Sequence, residues 1–235
     1  MSGTLAAAKA IVLSGHGTVF DSAGAVRFAS DALGEATGPL AALWEAKRFE
    51  YAWMSQLTGR HTDLWELTGE ALDHAMSALG LPPNPLLRAR LMQGMLQAPP
   101  FPDVRPALVA LREARGRPLA LLSNASVSML VAAAKAGDLY ALFDALLSAE
   151  PTGSFKPAPQ VYALAPARFG LAPADILYVS AHPWDVAGAA SAGLTAVWLD
   201  RTRRGRGEFA WAPPAAVITS LAELPALVAD TAPAA

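Results

Sequence analysis

Cysteine does not occur among the 235 residues, which excludes disulfides, thiolate metal sites and cysteine nucleophiles. Lysine is scarce: only Lys9, Lys47, Lys135 and Lys156 stand against fourteen arginines, so each lysine calls for a reason. Charged residues make up only 16% of the chain and nearly balance, with a formal net charge of −2. A general nucleic-acid binder carries a strong basic surplus, and none is present. Long apolar runs are missing too. The chain is 53% hydrophobic, but much of that share is alanine, and no stretch approaches the ~20 unbroken apolar residues of a spanning helix. The opening MSGTLAAAKAIVLSGHG has no basic segment ahead of an apolar run. The expectation is therefore a cytoplasmic protein without a signal peptide or membrane contact. The length suits one domain, or a core with a smaller insert.

The texture of the chain changes twice. AIVL at 10–13 runs into the small residues SGHGT, the pattern of a buried strand feeding a tight loop. From 22 to about 97, apolar residues recur at helical spacing in LAALWEAKRFEYAWMSQL, DLWELTGEALDHAMSALG and LLRARLMQGMLQ. Gly38-Pro39 and Pro82 to Pro85 punctuate this block. Beyond residue 100, strands predicted at 118–124, 145–150, 175–181 and 195–200 alternate with helices predicted at 126–137, 158–170, 183–193 and 219–229. Such alternation predicts an α/β fold, a doubly wound parallel sheet of Rossmann-like type. Residues 1–21 and 98–235 form the core in this reading, and 22–97 form an all-helical cap inserted after the first strand. The loop 202–214 is expected to carry Arg201, Arg203, Arg204 and Arg206 as a solvated patch, and the tail 231–235 to fray.

Ligands of open α/β sheets bind at the carboxyl ends of the strands. Four such ends can be read: Ser14-Gly15-His16-Gly17-Thr18, Ser123-Asn124, the segment leading to Lys156, and Ser180-Ala181-His182. They are expected to converge on one site beneath the helical block.

These residues resemble the haloacid dehalogenase superfamily, and within it the type II L-2-haloacid dehalogenases with a helical cap. The family's first motif, Asp-x-Tyr-Gly-Thr-Leu-Phe-Asp after a strand, is matched by Ser14-Gly15-His16-Gly17-Thr18-Val19-Phe20-Asp21. Its Leu-Ser-Asn-Gly strand end is matched by Leu122-Ser123-Asn124-Ala125. Its Lys-Pro followed by Val-Tyr is matched by Lys156-Pro157 and Val161-Tyr162. Its last motif is matched by Ser180, Trp184-Asp185 and Gly188-Ala189, and the cap signature by Leu43-Trp44 and Glu50-Tyr51. Four motifs in order, over nearly the whole chain, carry the resemblance.

The resemblance implies Ser14, Lys156, Asp185 and His182 as the catalytic positions. It implies His16, Thr18, Ser123, Asn124, Glu45, Tyr162, Ser180 and Trp184 around the ligand. It also marks departures. The family's nucleophilic aspartate is Ser14 here, the cap arginine that grips the substrate is Glu45, and the fourth motif's asparagine is His182. In the family reaction a carboxylate attacks, and water then cleaves the resulting ester. A serine hydroxyl is a poor nucleophile toward an alkyl halide, and its product would be an ether that water does not cleave. The phosphatase variant needs a second aspartate where His16 stands, and Mg²⁺ needs hard oxygen ligands in near-octahedral array from acidic residues after the fourth strand, where the chain offers Ser180, Ala181, His182 and only Asp185. No metal and no cofactor are expected.

Three explanations of Ser14 stay open: a laboratory variant of a dehalogenase, a binding module with a degenerate nucleophile, or a working serine activated by Lys156 or by His182 with Asp185. The partner implied is a small anionic or carboxylate-bearing molecule, with a homodimer as the candidate assembly. Blander roles exist for each residue. Thr18 can cap a turn, Ser123-Asn124 can end a strand, and Asp185 can be a first-turn acid favoured by the helix dipole. His182 can be a loop histidine, and Glu45 can pair with Lys47 or Arg48. Trp44, Tyr51 and Trp53 can be cap core. His61 and His74 have no partners legible in the sequence.

Overall fold

The computed structural model describes residues 5–60, 62–205 and 207–229. Its centre is one parallel sheet of β1 (Ala10–Ser14), β2 (Leu119–Ser123), β3 (Ala145–Ser148), β4 (Ile176–Ser180), β5 (Thr195–Leu199) and β6 (Ala216–Ile218), in the order β3-β2-β1-β4-β5-β6. β1, β2 and β4 are buried throughout, which is why AIVLS, LALLS and ILYVS read as continuous apolar runs rather than alternating ones. Ile11, Leu13, Leu121 and Val179 pack one face of the sheet; Val12, Leu122, Tyr178 and Trp198 pack the other. β1 pairs with β2 on one side and with β4 on the other. Strand order therefore switches direction at β1, and the crevice that this opens lies at its carboxyl end, at Ser14.

The helices are α1 (Ser22–Arg27), α2 (Ser30–Leu33), α3 (Thr37–Leu57), α4 (Leu64–Ala78), α5 (Pro85–Leu96), α6 (Val104–Arg115), α7 (Val127–Ala136), α8 (Pro159–Tyr162), α9 (Leu164–Phe169), α10 (Pro183–Ser191) and α11 (Leu224–Val228). Side-chain caps set several starts. Asp21 accepts from Gly24 N, Asp63 from Glu66 N, and Asn84 from Leu86 N and Leu87 N just ahead of Pro85. Each such cap contributes about 1 kcal/mol. The insert α1–α5 has its own core, with Leu40, Trp44, Leu72, Leu91 and Met95 buried together. It meets the sheet domain through Ala52, Leu64 and Leu67, packed on Ala125, Leu130 and Phe155. The chain leaves and re-enters at a neck where Asp21 N donates to Pro99 O (2.7 Å) and Phe101 N to Val19 O (3.0 Å).

Several expectations change in detail. Gly38-Pro39 does not break a helix but sits in the first turn of α3, where proline is tolerated. The helix expected at 158–170 is two short ones, because Pro166 has no N–H to give the Tyr162 carbonyl. The strand expected to reach Glu150 ends at Ser148, and the final helix shrinks to a 3₁₀ turn plus α11. α6 and β6 were not read from sequence. Arg201 is not part of a solvated patch. Its Nη1 donates to both carboxylate oxygens of Asp103 (3.0 and 2.9 Å), its Nη2 donates to Thr18 O (2.8 Å), and the guanidinium lies over the Phe101 ring at 4.0 Å. His61, Arg206 and the tail 231–235 lie outside the described residues. No helix among the described residues is long and apolar enough to cross a membrane.

Candidate active site

The loop after β1 is wound tightly on itself: Thr18, Val19 and Phe20 all direct their backbone N–H to the Gly15 carbonyl (3.2, 2.8 and 3.2 Å). Gly17 has φ +81°, and a Cβ there would stand 2.5 Å from His182 Nε2. Glycine thus lets the end of β4 close against this loop. Thr18 Oγ1 completes the seam by accepting from Ala181 N (2.9 Å).

Beneath Ser14 lies a buried ionic cluster. Lys156 Nζ donates to Ser14 Oγ (3.2 Å), to the Leu122 carbonyl (2.7 Å), to Tyr178 OH and to Asp185 Oδ2 (3.3 Å). Asp185 also accepts from Tyr162 OH (2.7 Å), Tyr178 OH (2.8 Å) and Ser180 Oγ (2.8 Å). Burial pulls the Lys156 ammonium below its ordinary pKa while Asp185 pushes it back up. Burial would raise the Asp185 carboxyl, but the charge on Lys156 and the three hydroxyls outweigh it and hold the pKa below the usual value. Both tyrosines are pushed well above 10, first by burial and then by Asp185, and so serve as donors. Gly188 makes room for this cluster, since a Cβ there would stand 2.5 Å from Tyr162 OH.

Above Ser14 is a small cavity lined by Ser14, His16, Arg48, Ser123, Lys156 and His182, among others. Its volume is about 30 Å³. Arg48 of α3 is buried in its wall. One of its guanidinium nitrogens donates to Met95 Sδ (3.2 Å), and its Nε has no partner. No carboxylate among the described residues lies within 4 Å of it; burial lowers its pKa, and Glu45 raises it from farther away. A buried guanidinium without an anion is costly, and an anion in the cavity would complete it.

The structure therefore brings together Ser14, His16, Ser123, Asn124, Lys156, His182 and Trp184 around one cavity. Four expected ligand contacts lie elsewhere. Thr18 spends its hydroxyl on the β4 seam, and Tyr162 and Ser180 spend theirs on Asp185, behind the cavity. Glu45 is half-buried and does not line the cavity, nor does it pair with Lys47, which bonds Glu50 instead (2.7 Å). Asp185 reaches the cavity only through Lys156. His182 is held among aromatic rings. Its ring stacks on Trp184 and meets the edge of Phe49, and its Nε2 faces the His16 carbonyl at 3.2 Å. No hydrogen bond among the described residues joins it to Ser14 or Asp185. Trp44 is cap core, donating to Thr68 O (2.8 Å), whereas Trp53 reaches across to the Lys156 carbonyl (3.2 Å). His74 lies beside Tyr51, with ring centroids 6.3 Å apart.

Two residues were missed. Arg48 follows Glu45 by three positions, on the same helical face, so LWEAKRF did carry a cation one turn late. Tyr178 looked like one more buried strand residue in ILYVS, and nothing marked its hydroxyl as Lys156's partner. No group of three or more His, Asp or Glu suited to a metal ion gathers among the described residues.

His16 gives the site a pH signature. Burial first, then the charge of Arg48, lowers its pKa to about 3. Between pH 6.5 and 3 the unfolded chain binds the proton that the folded one refuses, so stability falls as pH falls through that window. The loss between pH 7 and 4 is expected to be about 2–3 kcal/mol. Urea unfolding across this range, with His16→Leu as control, checks it; an equally steep slope in the variant contradicts it.

Comparison with known proteins gives a consistent answer. A family model described as "haloacid dehalogenase-like hydrolase" matches residues 2–193. The (S)-2-haloacid dehalogenase 1 of Pseudomonas sp. (strain CBS-3) is 34% identical over 220 residues, 94% of this chain and 96% of that protein. The (S)-2-haloacid dehalogenase 4A of Burkholderia cepacia is 34% identical over 221 residues, 94% and 95% of the two chains. A solved L-2-haloacid dehalogenase of Xanthobacter autotrophicus with chloropropionic acid covalently bound has a TM-score of 0.88 at 30% identity, covering 96% of this chain and all of the other. A dehalogenase solved with an intermediate complex has a TM-score of 0.92 at 34% identity, covering 96% and 99%.

Proposed function

The chain belongs to the haloacid dehalogenase-like hydrolase family, and from that premise we propose that it binds a short 2-substituted carboxylate under the helical insert without releasing halide in turnover. The observation that carries this reading is Arg48, a buried guanidinium lacking an anion in the wall of the cavity that Ser14 and Lys156 floor. A carboxylate there would gain charge-assisted hydrogen bonds from Arg48.

Ser14 is what separates this chain from turnover. An aspartate would form an ester, whose carbonyl carbon water can attack. A serine would form an alkyl ether, which has no such electrophilic carbon. Ser14→Asp restores a carboxylate beside Lys156, with Arg48 already above it. It is expected to release chloride slowly but repeatedly from (S)-2-chloropropionate.

Calorimetric titration of the wild type with (S)-2-chloropropionate and with lactate tests the binding. Saturable one-to-one binding of either acid is expected, and no binding of either contradicts the reading.

A second reading rests on the 3.2 Å contact between Lys156 Nζ and Ser14 Oγ, in which Lys156 activates Ser14 toward esters. Asp185 works against it by stabilising the ammonium, as do the four acceptors around its three protons. Intact mass after exposure to a serine-directed phosphonate separates the two. A Ser14 adduct favours the hydrolase; an unmodified protein favours the module.

A further inference from the structure

A second and larger chamber lies next to the anion cavity, with space of about 290 Å³ against about 30 Å³ on the same measure. Leu64 and Asn124 line both spaces, which adjoin at these two residues. The chamber sits between insert and sheet domain, lined by Ser55, Gln56 and Thr62 on one side and Ser126, Ser154 and Phe155 on the other. Exposed Gly59, Glu150 and Gly153 also line it, so it opens to solvent.

Two side-chain amides in this lining are fixed by the same short segment. Gln56 Oε1 accepts from Phe155 N (2.7 Å), and Asn124 Oδ1 accepts from Lys156 N (2.7 Å). With both amide oxygens held by backbone donors, both NH₂ groups are set as donors. Among the described residues the charged lining residues are Asp63, Glu150 and Arg60, and Arg60 is already paired with Glu66 (3.0 Å) and Glu70 (2.6 Å). The uncompensated charge here is therefore negative, opposite to the cation that marks the inner cavity.

We propose that this chamber is a tail subsite, and that the ligand is a 2-substituted carboxylic acid with an uncharged tail of three or more further carbons, able to accept a hydrogen bond. The proposal rests on carboxylate binding beneath Arg48. The acid group stays in the inner cavity, and the tail passes Leu64 and Asn124 into the outer one. Two amide donors suit a neutral acceptor such as a ketone or amide, while Asp63 and Glu150 repel a second carboxylate.

The test is calorimetric titration of the full chain with 2-chloropropionate, 2-chlorohexanoate and 2-chloroadipate. Burying each extra methylene tightens binding about fourfold, so the hexanoate is expected to bind tens-fold tighter than the propionate. The adipate is expected to bind more weakly than the hexanoate. Thr62→Trp or Ser154→Trp, which fill the outer chamber, are expected to remove the hexanoate's advantage and leave propionate affinity unchanged. Equal binding of the two monoacids, tighter binding of the adipate, or an advantage that survives both variants overturns the tail subsite while leaving the inner site standing. Absence of binding by every acid overturns both.

Discussion

Replacing Asp185 by alanine is expected to cost about 3–5 kcal/mol of folding stability, the range for removing one partner of a buried ion pair. The carboxylate holds four donors at once: Lys156 and the hydroxyls of Tyr162, Tyr178 and Ser180. Alanine leaves an ammonium and three hydroxyls buried without their shared acceptor. Asp185→Asn keeps the shape and an acceptor oxygen, so a smaller loss is expected. In the wild type this stabilisation is present above the ordinary aspartate pKa of 3.8 and disappears as pH falls through the lower folded value. Urea denaturation of the three proteins at pH 7 measures the effect. A loss below about 1 kcal/mol for alanine would mean that the cluster contributes little, contrary to the cost of orphaning buried polar groups.

Arg48→Met is expected to move stability the other way. The arginine is buried, has no carboxylate within reach among the described residues, and leaves Nε without a partner. Methionine fills a similar volume without a desolvated charge, so a gain of about 1–3 kcal/mol is expected. Affinity for 2-chloropropionate is expected to fall at least ~30-fold, since a charge-assisted hydrogen bond to the carboxylate is lost. A residue that costs stability and supplies binding is the signature of a site. Destabilisation by Arg48→Met together with unchanged affinity would instead make Arg48 a packing element, and the anion site would lose its main support.

The sheet was legible because its inner strands are apolar on both faces, and Gly, Pro and polar residues punctuate them. β6 was not, being three residues long with Val217 exposed. α6 carried a readable stripe at Val104, Ala107, Leu108 and Leu111, all buried, that went unused. At the site, strand ends pointed to Ser14, Ser123, Asn124 and Lys156, because the topology of a parallel sheet gathers those ends. Depth could not be read the same way. Thr18, Tyr162 and Ser180 sit close in sequence to cavity residues, yet they spend their hydroxyls behind it. Whether a side chain faces the ligand or its neighbour depends on packing between distant segments, such as Gly188 against Tyr162 or Gly17 against His182. Arg48 stands three positions after Glu45, on the same helical face, and lines the cavity that Glu45 does not.

The most direct test of carboxylate binding without turnover is chloride release from (S)-2-chloropropionate, followed at several protein concentrations under conditions where calorimetry shows the acid bound, with Ser14→Asp run in parallel. The account predicts binding with no more than one chloride per wild-type molecule, and continuing release from the variant. Chloride accumulating over many equivalents from the wild type would contradict it, because a seryl ether offers water no route to regenerate Ser14.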